Sequence, residues 1–89
     1  MNWAYELTEG ARADLKKLAT SEQRRIVRFL ADRVAGPADP RRLAKSLQGS
    51  GMAGLWRFRV GHYRIIGSIE QHRVTVRIIR IGHRSDIYN

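Results

Sequence analysis

The stretch GLWRFRVGHYRIIG, residues 54–67, alternates apolar and cationic side chains and breaks its rhythm once, at Gly61-His62. Alternation with period two marks a strand with one buried face. Gly-X at the break marks a two-residue type II′ hairpin turn. The stretch therefore predicts two antiparallel strands, at about 55–60 and 63–70. Val60 then stands opposite Tyr63, Arg59 opposite Arg64, Phe58 opposite Ile65, Arg57 opposite Ile66 and Trp56 opposite Gly67. Residues directly opposite share a face. One face carries Trp56, Phe58, Val60, Tyr63 and Ile65; the other gathers Arg57, Arg59 and Arg64.

C-terminal to this hairpin the period of two continues over about 73–81, which predicts a third strand. A two-residue turn at Gln71-His72 would set Ile69 against Val74, Gly67 against Val76 and Ile65 against Ile78 on the apolar face. Ser68 would face Thr75, Ile66 would face Arg77 and Arg64 would face Ile79 on the other. Arg77 thus joins the cationic face, and Gly67 leaves a gap for the Trp56 indole. A last short strand is expected to include Ile87 and Tyr88.

N-terminal to the hairpin, NWAYEL (2–7) alternates Trp3, Tyr5 and Leu7 on one face, a short strand. Thr8 is placed to cap a helix over 9–19, with Ala11, Leu15 and Leu18 at helical spacing. Ser21 is read as the N-cap of a second helix, whose stripe is Ile26, Phe29, Leu30 and Val34 and whose stop is Gly36-Pro37. The short gap between them predicts an antiparallel helix hairpin. In GPADPRR, Asp39 is placed to cap a helical turn with Pro40 at its first position. Leu43 and Leu47 anchor their segment to the core, and QGSGMAG (48–54) reads as a linker. The expected fold is a single α+β domain over 1–89. It has an N-terminal strand, a helix hairpin and a three- to four-stranded antiparallel meander, with both helices on one face of the sheet. The other face stays open to solvent.

Composition says what that open face should attract. Lys and Arg number 17 against 8 acidic residues, for a formal charge of +9, and arginines outnumber lysines 14 to 3. Such a field favours a nucleic acid, an anionic membrane or an acidic protein, and arginine suits bidentate phosphate recognition. With no cysteine there is neither a disulfide framework nor a thiolate zinc site. No metal-ligand spacing appears, and the cationic face is expected to hold no pair of acidic residues, so a two-metal nuclease and bound cofactors are not expected. The opening MNWAYELTEG lacks the features of a signal peptide, and no apolar run approaches the roughly 20 residues that span a bilayer. The expectation is a cytoplasmic protein without membrane contact.

RNA cleavage needs no metal. The 2′-OH attacks the adjacent phosphorus, a base takes its proton, an acid protonates the 5′ leaving oxygen, and cations stabilise the transition state. Of the histidines, His83 is the best placed for proton transfer, and His62 and His72 sit at turns. Tyr88 becomes a better base if neighbouring arginines lower its pKa; as a C-terminal aromatic it equally serves to dock the last strand.

WAYEL, ARADLKKL, DPRRLAKSLQG, GLWRFRVGHYRII and RIIRIGHRSDIY together make nearly the whole chain resemble the RelE/ParE superfamily of toxins from type II toxin–antitoxin systems. The RelE branch implies a ribosome-dependent endoribonuclease that cuts mRNA in the A site. Carried over by position, the resemblance places Arg57 and Arg59 at the scissile phosphate and Arg64 on the transition state. It places Arg84 near the leaving group and Tyr88 on a base, with a share in proton transfer, and His83 where some branches have a basic or histidine residue. Well-described members carry lysines where this chain has Arg57 and Arg59. Arginine holds its proton too tightly to exchange it, which shifts proton transfer to Tyr88 or His83. The resemblance also implies a cognate antitoxin with an acidic or amphipathic wrapping segment, and operator DNA contact only through the complex. The ParE branch implies a different activity on the same scaffold: inhibition of DNA gyrase by binding, without RNA cleavage.

Overall fold

The computed structural model describes residues 2–83. The expected strand at Ile87 and Tyr88, and Arg84, lie outside them. Strand β1 (Ala4–Leu7) leads into α1 (Glu9–Lys16), and α2 (Thr20–Phe29) continues as a π-helical turn, Leu30–Val34. A 3-10 turn at Pro40–Leu43 runs into β2 (Ala44–Ser46), and β3 (Leu55–Val60), β4 (Tyr63–Glu70) and β5 (Thr75–His83) complete the order. The strands form one mixed sheet in the order β1-β5-β4-β3-β2, with β1 parallel to β5 and the other pairs antiparallel.

The helix ends follow capping chemistry. Thr8 accepts the Ala11 N–H on its hydroxyl at 3.1 Å, as expected. Helix α1 stops earlier than expected, at Lys16, and α2 begins right after Ala19, without a side-chain cap, rather than after Ser21. Gln23 Nε2 donates to the Leu18 carbonyl at 2.8 Å, which closes the corner between the helices and lets the second begin sooner. The π turn shows in the Ala35 N–H donating five residues back to Leu30 at 2.9 Å. Gly36, at φ +118, ends it and pairs with Trp3 ahead of β1. Asp39 accepts the Arg41 N–H at 2.9 Å with Pro40 at the first position, as read from the sequence.

The apolar stripes meet on one side of the sheet. Ala11, Ile26, Leu30 and Val34 are fully buried there with Phe58, Ile65, Val76 and Ile78. The Phe29 and Phe58 rings meet edge to face at 6.3 Å. At the sheet's margin the Arg41 guanidinium lies over both the Trp3 and Trp56 rings, 5.8 and 5.9 Å from their centroids.

The β3–β4 register is the one the opening stretch predicts, pair for pair. Gly61 has φ +59 and His62 does not share the positive φ, as a II′ turn demands. Two expectations give way. Between Leu43 and Leu47 the chain forms an extra edge strand, β2, which residues 48–54 link to β3. The turn after β4 is longer than Gln71-His72: a 3-10 turn covers Gln71–Arg73, and Val74 adopts the left-handed conformation at φ 50. Ile69 therefore pairs with Val76, not Val74.

Further along β5 a bulge falls between the Gly67–Ile78 and Ile66–Arg80 pairs, with Ile79 the extra residue. Without it, Ile65 would face Arg80 across the core. The bulge restores Ile81 to the core beside Ile65 and turns Arg80 to the other side. Gly67 sits at this irregularity. A Cβ there would lie 2.7 Å from the Arg77 carbonyl oxygen, so the glycine admits neighbouring backbone rather than leaving a gap for Trp56.

Candidate nucleic-acid interface

The face away from the helices is built in rows across the strands. One row runs Arg59, Arg64, Gly82, and the next runs Lys45, Arg57, Ile66, Arg80. A third runs Ser68, Arg77, Glu6. The structure thus brings together Arg57, Arg59 and Arg64 as expected. Two further basic residues share these rows, Lys45 and Arg80, the latter with its Nε bonded to Asp14 of α1. Lys45 comes with the unforeseen strand β2. Arg80 comes with the bulge, and the signal for it was present: the Ile78-Ile79 doublet breaks the alternation of the last strand.

Arg77 lies on this face but opposite Ser68, not Ile66, because of the longer turn. Its Nε is 3.7 Å from Glu6 Oε2. Arg64 faces Gly82 in place of Ile79 because the bulge adds a further residue to the offset of the turn. The expectation of no acidic pair on this face is also overturned. Glu6 and Glu70 both lie on it, and Arg73 bridges them with contacts of 2.7 Å to each. Partial burial pushes the Glu70 carboxyl up, but the hydrogen bond and charge of Arg73, joined by the Ser68 hydroxyl, together hold it below its ordinary value. The Glu6 and Glu70 hydrogen bonds and charges hold the Arg73 guanidinium above its own. The face is therefore polarised. Its acid-paired end lies at Glu6, Glu70, Arg73 and Arg77, and its cationic end at Lys45, Arg57, Arg59 and Arg64.

The cationic end contains a buried donor in search of an acceptor. Arg57 Nε is out of solvent and has no hydrogen-bond partner among the described residues. Leaving such a donor unmet costs about 1–3 kcal/mol. Ile66, between Arg57 and Arg80 in the same row, is only 7% exposed and gives the patch a low-dielectric floor. Charges above such a floor act more strongly on an anion than they would in water.

His83 is not in the arginine row. It pairs with Tyr63 in the row of Val60, on the helix side of the sheet, at its exposed end. Its ring meets Tyr63 edge to face at 5.9 Å and stacks on His62 at 6.0 Å. His72 is exposed in the turn after β4. Arg84 and Tyr88 lie outside the described residues. Within residues 2–83 no helix is long and apolar enough to cross a membrane.

A helix hairpin on one side of a mixed five-stranded sheet and an arginine patch on the other define an α+β domain of the RelE-like kind, a fold that solved structures share. The chain belongs to the family of ParE toxins of type II toxin–antitoxin systems, whose model matches residues 5–88. It is 34% identical over 88 residues to Toxin RelG of Mycobacterium tuberculosis, covering 99% of this chain and 98% of that protein. A chain of the toxin–antitoxin complex RelBE2 from the same organism superposes with a TM-score of 0.85 at 31% identity, covering 94% of this chain and 100% of that one. The archaeal RelE–RelB complex from Pyrococcus horikoshii contains the same fold, at a TM-score of 0.68 and 23% identity over 97% and 99% of the two chains.

Proposed function

We propose that this toxin is a ribosome-dependent endoribonuclease that cuts mRNA, and that its arginine patch holds the scissile phosphate. The observation that carries the reading is the buried, unmet Nε of Arg57 beside Arg59 and Arg64 on one open face. A phosphate oxygen supplies the acceptor that Arg57 lacks. The directly opposed guanidiniums of Arg59 and Arg64 then share the charge that builds on the phosphorane oxygens as the 2′-OH attacks. No arginine of the patch is a base. His83 stands on the helix side, so Tyr88 is the group assigned to take the 2′-OH proton, with Arg84 at the leaving 5′ oxygen. Both roles come from the family resemblance.

The partner is inferred from the relatives. The similar mycobacterial chain is solved as a toxin–antitoxin complex, and a +9 surface calls for an acidic or amphipathic segment. A cognate antitoxin covering the basic face, in the cytoplasm, is the reading. Operator DNA contact runs through that complex.

Mapping 5′ ends of cellular mRNA after induction without the antitoxin tests the activity. Cuts within translated messages are expected for wild type and not for Arg64→Ala. Intact messages together with an SOS response would replace this reading with gyrase inhibition, the activity that the ParE branch implies.

A further inference from the structure

On the helix side, a cleft of about 460 Å³ opens between the end of α1 and the end of β5, lined by Asp14, Lys17, Tyr63, Arg80, Gly82 and His83, among others. Three kinds of group converge there. Lys17 and Arg80 are cations. Tyr63 and His83 are aromatic, and the stacked His62 braces the outer ring. Asp14 is a carboxylate whose side chain is only 12% exposed. Gly82 also belongs to the Arg59–Arg64 row. It is the point at which the open face and the cleft adjoin, with no side chain between them.

Asp14 has a fixed orientation. Its Oδ2 accepts the Ile81 N–H at 2.9 Å and the Arg80 Nε–H at 2.9 Å. Both bonds fall on one oxygen, which directs Oδ1 elsewhere. Beyond the Leu7–Ile78 pair β5 has no strand neighbour on that side among the described residues, and Asp14 accepts the Ile81 N–H there.

We infer that this cleft is a nucleotide subsite, which takes the nucleoside next to the phosphate held by Arg57, Arg59 and Arg64. The inference rests on the reading of that face as an RNA site. Two strand spacings, about 10 Å, separate Arg59 from Gly82, so a strand leaving the patch crosses the glycine and enters the cleft. Its base lies against the Tyr63 and His83 rings, the sequence-tolerant contact by which proteins hold single strands. Its outer phosphate meets Lys17. Asp14 Oδ1 accepts from an exocyclic amine, as carboxylates do from cytosine N4. Uracil offers an oxygen at that edge, which the carboxylate repels. The subsite therefore favours cytosine over uracil.

The test titrates the full chain with two uncleavable trinucleotides, 2′-O-methyl CCC and 2′-O-methyl UUU, followed by NMR. Signals of the Arg59 and Arg64 side chains report the open face. The Ile81 and Gly82 amides and the Tyr63 and His83 rings report the cleft. CCC is expected to move both sets and to bind about fivefold tighter than UUU, the effect of one hydrogen bond. Lys17→Ala is expected to weaken the cleft response while the open-face signals still move. Movement of the open face alone, or equal cleft response to CCC in wild type and Lys17→Ala, overturns the subsite and leaves the RNA reading standing. Movement of the cleft alone overturns the reading of the arginine face and, with it, the subsite, which is defined by the phosphate held there. No movement of either set removes both.

Discussion

Arg59 and Arg64 stand directly opposite one another across β3 and β4, two guanidiniums in one cross-strand pair. Donors on two neighbouring strands at one pair offer an anion charge-assisted hydrogen bonds from both. An anion bound there raises stability with its concentration, by linkage. Wild-type protein is expected to melt at a higher temperature in phosphate than in chloride at equal ionic strength, and Arg59→Ala should lose most of the difference. Growth arrest on induction should fall with it, since removal of one preorganised transition-state donor costs about 10²–10³ in rate. A variant that keeps both the phosphate effect and toxicity would remove Arg59 from the site.

Gly67 has the second consequence. The Cβ of an alanine would sit 2.7 Å from the Arg77 carbonyl oxygen and 3.3 Å from Ile78 Cδ1. The first contact is backbone, held in the β4–β5 ladder, and does not swing aside. Gly67→Ala is expected to destabilise by about 1–3 kcal/mol, the usual cost of overpacking, read from urea unfolding. The displaced bulge should also shift Arg80 and loosen its bond to Asp14.

The same bulge separates the legible parts of the sequence from the illegible ones. The β3–β4 pairing was legible because Gly61-His62 is a strong turn signal and its alternation is unbroken on both sides. The core stripe of α2 was legible for the same reason, with Ile26, Leu30 and Val34 all buried as spaced. The turn after β4 was not. Its left-handed residue is Val74, a β-branched side chain that disfavours positive φ. Tertiary packing, not local preference, places it there. That one position accounts for the two-residue offset of Ile69 and the misplacing of Arg77. Strand β2 escaped for another reason: three residues, Ala44–Ser46, are too short to show a period. The side on which His83 stands was not legible either, since a pairing of Arg64 with Ile79 would continue by alternation to the arginine face. The true pair, Arg64–Gly82, puts the histidine on the other side.

Asp14 holds the end of β5 at Ile81. Arg80 is more than half exposed, so the ion pair itself contributes little. The Ile81 N–H is different: it is a backbone donor in a partly buried position with a charged acceptor. Asp14→Ala is expected to cost about 1–3 kcal/mol, and Asp14→Asn, which keeps an acceptor oxygen, distinctly less. Amide exchange at Ile81 should rise in the alanine variant ahead of global unfolding. Unchanged protection there would mean that some other group satisfies that N–H.

Acid should dissolve the other end of the open face first. Partial burial pushes Glu70 up, and its bonds to Arg73 and Ser68 more than compensate, so the carboxyl titrates below its ordinary value in the folded chain. A group with a lowered folded pKa stabilises fully above its unfolded pKa, and loses that contribution as pH falls through the folded value. The window therefore begins near the ordinary carboxylate range, about 4–4.5, and extends below it. Arg73 is shifted upward and stays charged throughout. Between about pH 6 and about pH 3 the wild-type melting temperature should drop more than that of Glu70→Gln, which has no proton to gain. The gap should narrow in high salt, since Arg73 is over 40% exposed and its interaction with Glu70 is partly screened. Parallel pH slopes for the two proteins would show that Glu70 carries no such linkage, and that Glu6 alone holds Arg73 at that edge.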